Sequence, residues 1–187
     1  MLTVKDLAKL SASLDPAGLK KQLGPFVLVQ RPDEGDPKLA DAEETTNPWG
    51  DDGERTSFAR IGAVNDGTLA MLFQFDSLAV ANLPPLRGQD ELSVGRQPDC
   101  DLVVNHASVS KRHAVLRWND ARLSATVQDL GSTNGTFINA GAKLTKETPV
   151  NDSDIISFGE VQFWFLLTKT LHAKLTPGGG SKVPRGL

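Results

Sequence analysis

Residues 92–139 read LSVGRQPDCDLVVNHASVSKRHAVLRWNDARLSATVQDLGSTNGTFIN. Three polar landmarks stand out: Gly95-Arg96, Ser110-Lys111-Arg112-His113, and Gly131-Ser132-Thr133-Asn134-Gly135-Thr136. Between them lie short runs rich in β-branched residues: Leu92 and Val94, Leu102-Val103-Val104, Ala114-Val115-Leu116, and Ala125-Thr126-Val127. Gln97-Pro98-Asp99, Asn119-Asp120 and the Gly131–Gly135 stretch punctuate those runs as turns. Short strands at such spacing predict an all-β sandwich or barrel. The polar landmarks fall at strand ends and in the connections, so they gather at one end, where a rigid scaffold presents its loops. Hydroxyls, an amide and an arginine suit holding an anion. No acid/base pair, metal cluster or nucleophile with a base accompanies them.

The flanks extend this reading. Thr68–Phe75 is expected to open the sandwich as its first long strand, and Val161–Leu167 to close it. Thr3 with Asp6 forms a capping box for a first helix whose stripe is Leu7, Leu10 and Leu14. Asp15-Pro16 starts a second helix, faced by Leu19 and Leu23 and stopped at Gly24-Pro25. Phe26–Val29 is expected to be a buried strand, and Leu171 and Leu175 to add one helical turn. The expected organisation is a helical and strand extension at 1–32, an acidic flexible linker at 33–66, the sandwich at 67–170, and a short turn with a frayed tail at 171–187.

Charge divides the chain in the same places. Residues 1–32 carry +3, residues 33–66 carry −7, and residues 67–187 carry +1, for a total of −3. Low hydrophobicity and high net charge make the middle segment a linker. The charge is too acidic for general nucleic-acid binding. Cys100 is the single cysteine, so no internal disulfide forms, which points to a reducing, cytoplasmic setting. Neither a signal peptide nor an apolar run of membrane-spanning length is expected.

Taken together, Val94-Gly95-Arg96, Val109–Ala114, Asp129–Asn139 and the later Asp154–Gly159 resemble the forkhead-associated (FHA) family, in its order and spacing. The resemblance covers roughly 69–167. It implies a mainly β, two-sheet sandwich that binds phosphothreonine peptides and is not an enzyme. It implies that Arg96 and Ser110 contact the phosphate, Lys111 adds a second cation, Thr133 reaches the phosphate side, and Asn134 grips the peptide backbone. Gly95 lets the backbone turn tightly, Gly135 takes a positive φ, His113 braces the loop, and Asn139 supports it more loosely. Arg112 reads as a surface residue, because neighbouring side chains of an extended segment face opposite ways. The implied partners are a phosphothreonine protein and an upstream Ser/Thr kinase, with no cofactor, metal, nucleic acid or membrane. Glu43-Glu44-Thr45-Thr46 resembles an element upstream of some small bacterial FHA regulators, which makes Thr45 and Thr46 candidate phosphorylation sites for self-inhibition. The competing reading is a phosphate-independent adaptor that docks through its N-terminal extension.

Overall fold

A computed structural model describes residues 2–31, 79–81 and 91–175. Its elements in chain order are β1 (Leu2–Thr3), α1 (Val4–Ser13), α2 (Pro16–Leu23), β2 (Phe26–Gln30), β3 (Ala79–Val80), β4 (Glu91–Gly95) and β5 (Leu102–Val103). There follow β6 (Ala114–Asn119), β7 (Ser124–Asp129), β8 (Thr136–Ile138), β9 (Thr148–Val150), β10 (Ile155–Phe158), β11 (Val161–Leu167) and α3 (Thr168–Leu175). One sheet runs β1-β3-β2-β11-β10-β8 and the other β5-β4-β6-β7-β9. This is the two-sheet sandwich that the sequence predicts.

The two sheets differ in how they are covered, and their sequences differ accordingly. In β6, Ala114, Leu116 and Trp118 are buried while Val115 and Arg117 are only partly so. That period of two marks a sheet with one face on the core and one on water. In β2, four consecutive residues from Phe26 to Val29 are buried, as are Phe163 to Leu166 of β11. Both faces of this sheet are covered. Phe26, Leu28, Phe163 and Phe165 point into the sandwich core with Leu92, Val94, Leu116 and Val127. Val27, Val29, Trp164 and Leu166 form a second core with Val4 and Leu7 of α1 and Leu171 of α3. The chain therefore stacks a helical layer behind the sandwich.

Several expectations change at this point. Phe26–Gln30 lies inside the six-stranded sheet, with Leu28 registered on Phe165 and Val29 on Trp164. A boundary after residue 32 therefore does not separate the sheet from what precedes it. The expected strand Thr68–Phe75, the linker 33–66 and both candidate threonines lie outside the described residues. The buried face of α1 is Val4, Leu7 and Ser11; Leu10 is half-buried and Leu14 is the C-cap. The single turn expected at Leu171 is a helix of eight residues beginning at Thr168. Thr168 is buried at the junction: its N–H donates to the Pro25 carbonyl and its hydroxyl to the Gly24 carbonyl. The Thr3–Asp6 capping box forms as expected.

Because Val29 lies between the sheet and the helices, truncating it should loosen both. Val29→Ala is expected to lower stability by about 1–3 kcal/mol in urea unfolding, through lost burial and a residual cavity.

Candidate functional site

The site lies where β4 ends, β6 begins, and β7 turns into β8. Antiparallel pairing of β6 with β4 and with β7 brings those three ends together, with Val94 opposite Ala114 and Ala114 opposite Asp129. The loops leaving them enclose an open hollow of 380 Å³ lined by Arg96, Ser108, Ser110, Lys111, Thr133 and Asn134, with Ala107, Val109 and Arg112 completing the wall. All five residues assigned to peptide contact thus meet in one place, although they come from three separate loops.

Backbone hydrogen bonds fix the first two loops to each other. The Arg96 N–H donates to the Ser110 carbonyl at 3.0 Å, and the Gln97 N–H to the Lys111 carbonyl at 3.1 Å. Gly95 makes this approach possible, for a different reason from the one expected. It sits in a strand, and its φ is not among the positive ones. A Cβ at Gly95 would lie 2.2 Å from the Lys111 carbonyl oxygen, so only glycine admits the neighbouring loop. Cys100 is buried on the other side, its thiol 3.5 Å from that carbonyl. Burial raises the pKa of this thiol, which keeps it inert.

His113 joins the second loop to the third. The ring is fully buried. Its Nδ1 accepts from the Ser110 N–H at 3.0 Å, and its Nε2 lies 3.0 Å from the Gly135 carbonyl. A backbone N–H can only donate and a carbonyl only accept, so the ring is neutral with its proton on Nε2. Burial, the largest influence, lowers its pKa, and the Gly135 bond and the nearby Asp129 carboxylate only partly oppose this. The expected bracing role fits this geometry. Gly135 has a φ of 89°, the left-handed conformation expected of it.

Asp129 organises the third loop, and the sequence reading gave it no role. Its carboxylate accepts from the N–H groups of Gly131 and Ser132, both at 2.9 Å, from the Ser132 hydroxyl, and from the Thr136 hydroxyl at 2.7 Å. Burial works against the charge, but these hydrogen bonds prevail and hold the carboxyl below its usual pKa. The signal was present: an Asp two residues before a Gly commonly caps its own turn. Lys143 was also missed; its stem covers Gly135 and its ammonium donates to the Ser132 carbonyl.

The groups facing the hollow are arranged as follows. The Ser110 hydroxyl oxygen accepts from the Thr133 N–H at 3.1 Å. The Asn134 amide nitrogen donates to the Ser108 carbonyl at 2.7 Å, which fixes the plane of the amide. Arg96 and Lys111 are exposed, and among the described residues neither side chain has an ion-pair partner. Arg112 also reaches the wall, paired with Asp99 at 2.7 Å, so it does not simply face away. Asn139 does not line the hollow. At the far end of β8 its amide holds Asp154 and the Ile155 N–H, with a φ of 51°.

Two other depressions are chemically different. A 660 Å³ one on the outer face of the five-stranded sheet holds Arg117, already paired with Glu91 and Glu147. A 280 Å³ groove beside α2 is mainly apolar, walled by Pro16, Pro25, Trp118 and Leu167. The first also holds Arg122, but beside the carboxylates of Glu91 and Glu147; the second holds Lys20 and Lys169 at the edge of its apolar wall. Among the described residues no group of three or more His, Cys, Asp or Glu could hold a metal, and no helix is long and apolar enough to cross a membrane.

A known family matches the segment that carries the three loops. The FHA domain family matches residues 92–159. The oxoglutarate dehydrogenase inhibitor of Corynebacterium jeikeium is 35% identical over 81 residues, covering 43% of this chain and 54% of that protein. The glycogen accumulation regulator GarA of Mycolicibacterium smegmatis is 35% identical over 77 residues, covering 41% of this chain and 43% of that protein. The match thus spans about half the length of these relatives. A solved chain described under phosphothreonine-dependent FHA domain interactions is 28% identical, with a TM-score of 0.40, and covers 50% of this chain and 86% of that one. The segment from Leu92 to Gly159, which carries the three converging loops and strands of both sheets, is an FHA domain.

Proposed function

We propose that this chain binds phosphothreonine-containing peptides and acts as an adaptor or regulator downstream of a Ser/Thr kinase. The observation that supports this reading is the single hollow in which Arg96, Ser110, Lys111, Thr133 and Asn134 meet. A phosphothreonine brings about −1.5 to −2 charges and three acceptor oxygens. Two cations without ion-pair partners among the described residues, and neutral donors on a pre-formed rim, match that demand. The Arg96 guanidinium supplies a two-pronged, charge-assisted contact. The Ser110 hydroxyl donates without adding charge. The Asn134 amide, its plane already fixed, offers both a donor and an acceptor to an extended backbone. The exposed Ala107 supplies apolar surface on the wall for the threonine methyl.

The test is calorimetric titration with one peptide in three forms. The phosphothreonine form is expected to bind and the unphosphorylated form not to bind. The phosphoserine form should bind about fourfold more weakly at least, from the loss of one buried methyl. Equal affinity for phosphorylated and unphosphorylated peptide would overturn the reading.

Within this reading, phosphorylation at Thr45 or Thr46 would let the acidic segment occupy the hollow of its own chain. Tethering raises its effective concentration without any new contact. Stoichiometric phosphorylation that leaves affinity for an external phosphopeptide unchanged would end this part. The alternative, docking through the N-terminal extension, has less support, since Val4 and Leu7 of α1 are already buried against the sheet.

A further inference from the structure

Three cationic residues line the wall of the hollow. Arg96 and Lys111 stand without partners among the described residues, and Arg112 is paired with Asp99 across the loop that follows β4. On the reading that the hollow takes a phosphothreonine peptide, we infer that Arg112 is a specificity-determining residue: it favours peptides that carry a second acidic group beside the phosphothreonine, and Asp99 is the internal competitor for it.

Arg112 lines the hollow and is only loosely held. The Arg112 and Asp99 side chains are 68% and 52% exposed, and a single hydrogen bond, from Nη2 to Oδ2, joins them. Water screens such a pair, so another carboxylate can exchange with Asp99 at little cost. Arg117 on the outer sheet face is the contrast. It donates to Glu91 and Gln128, lies near Glu147, and is less exposed, so it is committed. A guanidinium has five N–H donors in a fixed fork, and most of those on Arg112 are unused within the described residues. Asp99 offsets the Arg112 charge while a peptide is absent. An acidic side chain beside the phosphate would meet that fork at the rim, while Arg96 and Lys111 stay with the phosphate. The Arg112 bond holds the Asp99 carboxyl below its ordinary range, so the competitor is charged at neutral pH.

The test uses the full chain and two series of phosphothreonine peptides. One has neutral flanks; in the other a single aspartate is moved along the flanks one position at a time. The readout is the ratio of affinities, best acidic peptide over neutral peptide, at low and at physiological salt. The wild-type ratio is expected to exceed one by about two- to fivefold and to shrink with salt. Arg112→Gln should bring the ratio close to one, with affinity for the neutral peptide falling by a smaller factor than affinity for the best acidic peptide. Asp99→Asn should raise the ratio. Both side chains are exposed, so unfolding curves should match the wild type. A ratio unchanged by Arg112→Gln, or one that Asp99→Asn fails to raise, overturns the inference and leaves the phosphothreonine reading standing. Failure of the wild type to bind any of the phosphopeptides overturns that reading, and the inference with it.

Discussion

Replacing Arg96 with alanine is expected to weaken binding of a phosphothreonine peptide by roughly a hundredfold or more, because two charge-assisted hydrogen bonds to the phosphate go together. The fold should not change. Arg96 is exposed, and its structural duty is carried by its backbone N–H, which holds the Ser110 carbonyl whatever the side chain. Urea unfolding should therefore agree with the wild type within about 0.5 kcal/mol. Arg96→Lys should recover only part of the affinity, since an ammonium lacks the planar fork. Unchanged affinity in Arg96→Ala would remove the residue from the site.

His113→Ala should behave in the opposite manner and damage stability and binding together. The substitution opens a space in the core where the ring meets Phe158 edge-on at 5.8 Å. It also leaves the partly buried Ser110 N–H without its acceptor and the Gly135 carbonyl without its donor. Loss of a buried ring and of both its hydrogen bonds gives an expected cost of about 3–5 kcal/mol by urea unfolding. Binding should fall as well, because the Ser110 and Gly135 loops lose the group that joins them.

The same ring makes stability depend on pH. Burial holds its folded pKa below 6.5, so the unfolded chain takes up a proton before the folded one does. The contribution is fully present above 6.5 and is lost as pH falls from there through the folded value. Asp129 adds a second loss at lower pH, starting near its ordinary value of 3.8, since its folded carboxyl is also depressed. In His113→Ala the first of these losses should vanish and the second remain.

Particular residues show how far the sequence alone could reach. That Arg96, Ser110 and Asn134 gather at one end was legible because each lies at a strand end or in a connection; the roles given to them came from the resemblance to the FHA family. Strand ends of one sandwich face collect at one end, so local pattern was enough to bring them together. The place of Phe26–Gln30 was not legible. Its four buried residues said only that both faces are covered, and the partner strand lies more than 130 residues away, at Phe163–Leu167. Nothing local encodes so remote a partner. Gly95 was singled out, but for a turn, whereas the requirement is the 2.2 Å approach of another loop. The Arg112–Asp99 pair was missed for a related reason: alternation describes an ideal strand, and this segment is a loop between strands. Asp129 could have been read, since its acceptors serve the N–H groups two and three residues ahead.

The most direct test is a two-dimensional amide NMR titration of the full chain with a phosphothreonine peptide, with the unphosphorylated peptide as control. The largest shifts are expected at Arg96, Ser110, Lys111, Thr133 and Asn134, and they should disappear when the phosphate is removed. Shifts centred instead on Glu91, Arg117 and Glu147, or shifts that persist with the unphosphorylated peptide, would contradict the claim that three loops meet to hold a phosphate.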